Sequence, residues 1–263
     1  MNDILERLYA AKAQALIEEQ SREPLGDVER RAAARRGERR SFAGAIAAAR
    51  GPAIVAEIKR ASPSAGLIAR NFDPARIAAT YESAGADAIS VLTEADHFLG
   101  DLSYIEIARA NSSRPILRKD FLNVPYQIAQ TAAYGADAVL LIVAGLDDAT
   151  LRLLSDEARR FGIETLVEIH DESELDRALA VDPSVIGINN RDLRSFTTDL
   201  GVTEHLLPKI PRGRPVLSES GVQTPDDIAR LFACGARGFL IGESLMRADE
   251  PAVLIADLKR SFV

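Results

Sequence analysis

The chain has 263 residues, of which 47% are hydrophobic and 27% are charged, and this composition argues against disorder, collagen-like repeats and a membrane protein. The formal net charge of −7 weighs against a nucleic-acid partner, although a local basic site can still bind an anionic substrate. One cysteine excludes an intrachain disulfide, and nothing in the sequence marks a secreted protein.

Residues 1–50 are predicted to form a highly charged helical extension. Its apolar residues recur near helical spacing up to a break at Pro24–Gly26 and reappear beyond residue 40: Ile4, Leu5, Leu8, Leu16, Ile17, Phe42 and Ile46. These residues need an apolar partner, so we expect the extension to close over the catalytic end of the following domain; the alternative is a structural plug at its opposite end. The arginine-rich stretch at 30–40 is interpreted as a solvated helix face, because it lacks the interleaved aromatic residues that would support an anionic-polymer contact.

The start of the chain also bears on where the protein works. Acidic residues interrupt the first twenty positions, which is unlike a signal peptide. No apolar run approaches the roughly 20 residues of a membrane span. We therefore expect a cytoplasmic protein with no membrane partner.

From residue 52 the chain alternates between short apolar runs and helical patterns. Eight runs are predicted to be buried parallel strands: 53–58, 88–92, 115–118, 138–143, 165–169, 185–189, 215–219 and 238–242. Helical patterns between them cover 73–85, 124–135, 147–162 and 224–235, often ending in glycine. Strands that alternate with helices in this way predict a parallel sheet covered by helices.

An internal repeat favours a closed barrel. GADAISVL (85–92), GADAVLLI (135–142) and GARGFLIG (235–242) each join a helix to a strand. Eight strands at roughly 25-residue spacing predict one (β/α)8 barrel over residues 51–263. A doubly wound open sheet is the alternative, but no G-x-G-x-x-G turn follows the first strand.

Charged and amide side chains follow the carboxyl ends of five predicted strands, where barrel enzymes carry their catalytic groups. A single charge there is explained by a salt bridge at the barrel rim. Together, however, these residues form a set of acids, bases and amide donors suited to proton transfer: Glu57, Lys59, Lys119, Glu168, Asn189 and Glu219. His170 either assists at this site or caps the next helix, and we favour the cap. The histidines show no metal-ligand spacing, so we expect no metal.

The last two strand ends are predicted to bind phosphate. Gly221 and Gly242 let backbone N–H groups approach a ligand closely, next to Ser220 and Glu243. Glycines needed only for turns are the alternative. Phe98 and Phe121 flank the same region, where they either pack in the core or stack on an aromatic substrate.

Seven motifs at these strand ends resemble those of indole-3-glycerol-phosphate synthase. In the family's order they are AEIKRASPSAG (56–66), LTEADHFLGD (92–101), PILRKDF (115–121), LVEIHD (166–171), GINNRDL (187–193), SESG (218–221) and FLIGESLM (239–246). The helical segment before them also matches the family's N-terminal extension. The resemblance implies a carboxy-lyase of tryptophan biosynthesis that converts 1-(2-carboxyphenylamino)-1-deoxyribulose 5-phosphate to indole-3-glycerol phosphate, with loss of carbon dioxide and water.

Specific roles follow from the resemblance and its chemistry. Lys119 is expected to be the general acid and Glu168 the base of the dehydration, with Lys59 holding an anionic group or sharing the acid role. Glu57, Asn189 and Glu219 would orient and tune these groups. Ser62 and Arg191 would bind anionic or polar substrate groups, and the backbone at Ser220, Gly221, Gly242 and Glu243 would hold the phosphate. We expect no cofactor, no nucleic-acid partner, and a monomer or weak homo-oligomer.

The sequence does not exclude two other functions. One is a different phosphate-binding barrel enzyme, either a lysine Schiff-base aldolase or phosphoribosylanthranilate isomerase. The other is a binding module that kept a phosphate-binding barrel, although ligand binding alone does not require a complete set of acids and bases.

Overall fold

The computed structural model describes residues 3–192 and 195–262, and the side chains of all of these except Asp3, Ile4 and Ser261. Eight parallel strands form a closed barrel, in which β1 pairs with both β2 and β8. Their bounds are β1 Ala53–Ile58, β2 Ala88–Leu92, β3 Ile116–Lys119, β4 Ala138–Ile142, β5 Glu164–Ile169, β6 Val185–Asn189, β7 Val216–Glu219 and β8 Gly238–Ile241. The predicted barrel is confirmed, and its closure excludes the open doubly wound sheet.

Helices surround the barrel and extend it at the N-terminus. They are α1 Asp3–Arg22, α2 Leu25–Ala34, α3 Phe42–Ala48, α4 Pro74–Ser83, α5 Ser103–Asn111, α6 Pro125–Ala133, α7 Asp148–Phe161, α8 Leu175–Leu179, α9 Gly201–Leu206, α10 Pro225–Cys234, α11 Glu243–Arg247 and α12 Pro251–Lys259. Short 3-10 turns span Arg36–Glu38, Val143–Gly145, Glu172–Glu174, Leu207–Lys209 and Arg260–Phe262. No helix in the described ranges is long and apolar enough to cross a membrane.

Local sequence signals set the ends of the outer helices. Asp73, Asp147 and Thr224 each accept a hydrogen bond from a backbone N–H in the first turn of the following helix. Gly162 and Gly235 end α7 and α10 in the left-handed region, with φ of 68° and 113°. The helices therefore begin and end where the sequence supplies caps, which fixes the lengths of the loops above the barrel.

The N-terminal helices divide between the two ends of the barrel. Leu5 and Leu8 of α1 line the cavity at the carboxyl ends of the strands. Phe42 and Ile46 of α3 are fully buried against inward residues at the opposite end, among them Ala53. One helix of the extension thus lies against the cavity at the carboxyl ends of the strands, and another fills the opposite end of the barrel. Of the remaining apolar residues, Ile17 is 64% exposed, and the side chain of Ile4 lies outside the described residues.

The arginine-rich stretch is only in part the solvated face that we expected, because Arg30 and Arg36 are exposed whereas Arg39 and Arg40 contact the barrel. Arg39 donates to the carbonyl oxygens of Ala132 and Ala136, at 2.8 and 3.0 Å. Arg40 donates to those of Ser112 and Arg114, at 2.7 and 2.9 Å. Carbonyls near helix C-termini lack partners within the helix, and the guanidinium fork can bind two of them at once. These arginines tie the extension to the barrel.

A short hairpin after β1 is among the elements that were not predicted. This antiparallel hairpin joins Ala61–Ser62 to Gly66–Leu67. It brings Ser62 to the mouth of the barrel, above the carboxyl ends of the strands.

Candidate active site

A cavity of about 850 Å³ opens at the carboxyl ends of the strands. All fourteen residues singled out in the sequence line it: Glu57, Lys59, Ser62, Phe98, Lys119, Phe121, Glu168, Asn189, Arg191, Glu219, Ser220, Gly221, Gly242 and Glu243. They come from seven of the eight strands or the loops that follow them, which the closed topology brings together. The last residue of the fifth motif, Leu193, lies outside the described residues.

The alternation of side chains along each strand explains how these charges reach the cavity. Residues two apart face the same side of a strand, so a charged residue at the strand end follows an inward apolar one. The pairs are Val55 before Glu57, Leu117 before Lys119, Leu166 before Glu168 and Leu217 before Glu219. The apolar members lie together in the barrel interior, and the charged layer lies on top of them.

Lys119 is held between two carboxylates. Its Nζ lies 2.9 Å from Glu219 Oε2 and 3.4 Å from Glu168 Oε2. Burial favours the neutral amine, but the charges of Glu219 and Glu168 outweigh it and raise the pKa of Lys119 above its ordinary value. The side chain is therefore an ammonium ion at neutral pH and can donate a proton.

The two carboxylates differ in their tendency to hold a proton. Burial opposes ionisation of Glu168, but the charges of Lys119 and His170 hold its pKa well below the usual range. Burial and the negative charge of Glu168 raise the pKa of Glu219 to about 7, although Lys119 opposes this. Neighbouring groups whose pKa values separate in this way can divide acid and base roles.

Two glycines make room for the carboxylates. A Cβ added at Gly187 would lie 2.2 Å from Oε1 of Glu219, and one added at Gly242 would lie 2.1 Å from Oε1 of Glu57. Glu57 in turn forms an ion pair with Lys59, with 2.6 Å between Oε1 and Nζ. A side chain at position 242 would therefore push Glu57 out of its place in this ion pair.

The predicted phosphate-binding loops have unusual backbone conformations. Ser220 and Gly221 adopt φ of 65° and 84°, in the left-handed region. Asn190 fixes this turn, because its Nδ2 donates to the carbonyl oxygens of Glu219 and Ser220, both at 3.0 Å. On the same side of the cavity, Ser244 and Arg247 accompany Gly242 and Glu243.

The other predicted binding residues lie elsewhere around the mouth of the cavity. Arg191 Nη1 donates to Ser64 Oγ at 3.4 Å, which links the loop after β6 to the hairpin that contains Ser62. The rings of Phe98 and Phe121 lie 6.1 Å apart, centroid to centroid, and form an aromatic wall of the cavity. They follow β2 and β3, and β3 lies across the barrel from β7, which precedes one of the predicted phosphate-binding loops.

Sequence reasoning missed the residues of α1 that support this wall. Tyr9 packs edge-on against Phe121, with centroids 5.8 Å apart and an interplanar angle of 79°. Lys12 is 7% exposed, and its Nζ lies 2.8 Å from Oδ2 of the buried Asp120. The sequence spacing could have revealed the burial of Lys12, since a lysine four residues after Leu8 lies on the apolar face of the helix.

The interpretation of His170 as a helix cap is wrong. The capping residue is Asp171, whose Oδ1 accepts from the backbone N–H of Ser173 at 2.8 Å. The His170 imidazole instead lies between Glu168 and Glu174. It therefore contacts a residue of the predicted catalytic set.

Comparisons with known proteins agree with this geometry. A family model described as indole-3-glycerol phosphate synthase matches residues 5–258. A relative of that name from Acidithiobacillus ferrooxidans is 46% identical over 254 residues, 95% of this chain and 96% of its own length. Another, from Polaromonas naphthalenivorans, is 44% identical over 261 residues, 98% of this chain and 99% of its own length.

A solved structure gives a likeness in fold. A crystal structure of KGPDC from Streptococcus mutans aligns with a TM-score of 0.61 and 15% sequence identity, over 80% of this chain and 97% of that one. At this level of identity the likeness concerns the barrel alone.

Proposed function

The chain belongs to the indole-3-glycerol phosphate synthase family, and we propose that Lys119 and Glu168 carry the proton transfers of its reaction. The activity is that of a carboxy-lyase of tryptophan biosynthesis, which closes 1-(2-carboxyphenylamino)-1-deoxyribulose 5-phosphate to indole-3-glycerol phosphate. The observation that carries the proposal is the Lys119 ammonium held 2.9 Å from Glu219 and 3.4 Å from Glu168 inside the cavity.

Lys119 is the general acid of ring closure. The aromatic carbon that bears the carboxylate attacks the carbonyl carbon of the sugar chain, and the carbonyl oxygen takes a proton from the ammonium group. Carbon dioxide then leaves, and its bonding electron pair restores the aromatic ring. A positioned acid of this kind contributes roughly 10²–10⁴-fold to a rate.

Glu168 is the base of the dehydration that follows. The new hydroxyl leaves as water with a proton from Lys59 or Lys119, while Glu168 accepts the proton lost from the ring. Its depressed pKa supports this role, because a carboxylate must be ionised to act as a base. Glu57, Asn189 and Glu219 orient and tune these groups, and the Glu57–Lys59 ion pair holds the second lysine in position. This chemistry uses protein side chains alone.

The two walls of the cavity fit the two ends of the substrate. Backbone groups at Ser220, Gly221, Gly242 and Glu243 bind the phosphate. Phe98 and Phe121 stack on the aromatic ring, and Ser62 and Arg191 bind its carboxylate or the sugar hydroxyls. The distinct character of the walls, aromatic on one side and glycine-rich on the other, supports this orientation.

We propose that α1 covers the substrate during the reaction. Leu5 and Leu8 lie on the cavity wall, and the ion pair of Lys12 with Asp120 holds the helix beside Lys119. A cover at this position excludes water while the carbonyl is protonated. We also propose that the protein works in the cytoplasm as a monomer or weak homo-oligomer.

A turnover assay tests the function. The protein is mixed with the carboxyphenylamino-deoxyribulose phosphate, and indole fluorescence and carbon dioxide release are followed together. The expected result is equal rates of both. Carbon dioxide release without indole fluorescence, or neither signal, would contradict the proposed reaction, and borohydride trapping of a lysine adduct would indicate an aldolase instead.

A further inference from the structure

The base Glu168 faces two cations, one on each carboxylate oxygen. Its Oε2 lies 3.4 Å from Lys119 Nζ, and its Oε1 lies 3.3 Å from His170 Nε2. Lys119 projects from β3 into the cavity, whereas His170 follows β5 directly. The two cations therefore approach the carboxylate from different elements.

The His170 imidazole is fixed from its other side by Glu174. Nδ1 lies 3.4 Å from Glu174 Oε2, and the same oxygen accepts the backbone N–H of His170 at 2.7 Å. The side chains of His170 and Glu174 are 13% and 11% exposed. The ring is thus held in one orientation by a carboxylate that does not line the cavity.

The surroundings favour the protonated imidazole. Burial disfavours the charge, but Glu168 and Glu174 outweigh it and raise the pKa of His170 to about 10. The other titratable groups facing Glu168 are Lys119 from β3, Glu219 from β7 and Tyr9 from α1. Of these, only Lys119 is a cation, and the proposed mechanism makes it give up its proton.

We propose that His170 is a positioning residue, which keeps Glu168 ionised and oriented after Lys119 has donated its proton. When Lys119 becomes a neutral amine, Glu168 loses the attraction on Oε2. The imidazolium on Oε1 remains, because Glu174 holds it away from the reacting atoms. Glu168 then still exists as a carboxylate when the ring proton must be removed. This inference rests on the proposed role of Glu168 as the base.

The pH dependence of kcat, which reports groups in the enzyme–substrate complex, tests the inference with three variants. His170→Gln removes the cation but keeps a polar side chain, and we expect the acid limb to move up by about one pH unit, because Glu168 loses an opposite charge. His170→Lys restores a cation and is expected to return the limb toward its original position. His205→Gln is the matched control, since His205 lies on the surface with its side chain 64% exposed. An acid limb that is unchanged in His170→Gln overturns the proposal.

Two further measurements keep the test decisive. Nitrogen NMR of labelled histidine in the unmodified protein reports the protonation of His170 without any substitution. We expect an imidazolium at pH 8, and a neutral ring at pH 7 overturns the proposal. Glu168→Gln distinguishes failure of the proposed base from failure of the proposed role of His170. If this variant is fully active, Glu168 is not the base. If it is inactive and the pH profile of His170→Gln is unshifted, only the role of His170 is contradicted.

Discussion

The contact between Lys12 and Asp120 offers a direct test of α1 as a cover. Asp120 follows Lys119 and is fully buried, and its Oδ2 accepts from Lys12 Nζ at 2.8 Å, Arg118 Nη2 at 2.9 Å and Thr93 Oγ1 at 2.7 Å. The Lys12 and Arg118 charges outweigh the effect of burial and lower the pKa of Asp120 to about 2. Replacing Lys12 by Met keeps the apolar stem and removes one of the two cations.

The cost of this substitution can be worked from the remaining partners. Breaking a buried ion pair costs about 3–5 kcal/mol when the partner charge is left alone. Asp120 keeps Arg118 and Thr93, so we expect a loss nearer that of one charged hydrogen bond, about 2 kcal/mol. This corresponds to roughly a 30-fold change in the equilibrium between docked and undocked α1.

Hydrogen exchange and kinetics together measure the consequence. In Lys12→Met, amide protons of α1 should exchange up to about 30-fold faster, while those of the barrel strands change less. A chain that lacks residues 1–22 is the limiting case, and its KM should rise while circular dichroism shows an intact barrel. This truncation leaves α3 and the hydrogen bonds of Arg39 and Arg40 in place, so it does not disturb the opposite end of the barrel.

A matched control and a refuting result complete the test. Lys259 forms a 2.7 Å ion pair with Asp87 on the far side of the fold from α1, and Lys259→Met should leave both the exchange of α1 and the KM unchanged. If the truncated chain binds substrate as tightly as the full chain, α1 is not a cover. If exchange from α1 is unaffected in Lys12→Met, the ion pair does not hold the helix.

Three further predictions concern the reacting groups. Lys119→Met should lower kcat by roughly 10²–10⁴-fold and leave the substrate dissociation constant within about tenfold; a variant with half the original kcat would remove Lys119 from the acid role. Glu168→Gln should lower kcat far more than it raises KM, and single-turnover analysis should show a ring-closed, decarboxylated species; slower closure instead would mean that Glu168 acts earlier. Gly187→Ala should force Glu219 away from Lys119 and lower kcat by up to about 100-fold. Gly37→Ala is the control and should not change kcat, because the added Cβ would meet no atom within 4 Å.

The barrel was predictable because its strands are buried on both sides. Such strands appear in the sequence as continuous apolar runs, so each observed strand begins and ends within one residue of its predicted bounds. The residues around the cavity were predictable for a related reason, since parallel strands present their carboxyl ends on one face. No comparable rule gives the partners of the N-terminal arginines, because those partners are carbonyl oxygens far along the chain. His170 was misread because Asp171, next to it, is an equally good cap and the sequence does not show which residue caps.

Glu219 is a carboxylate of the site whose pKa is raised. Burial and the negative charge of Glu168 raise this pKa to about 7, so Glu219 takes up a proton more readily than an ordinary carboxylate. A substrate that brings a phosphate and a carboxylate adds negative charge to the same cavity and favours protonated Glu219 further. In the proposed mechanism, a protonated Glu219 holds Lys119 less strongly when the carbonyl oxygen is beside it, and the proton of Lys119 is then easier to donate at ring closure.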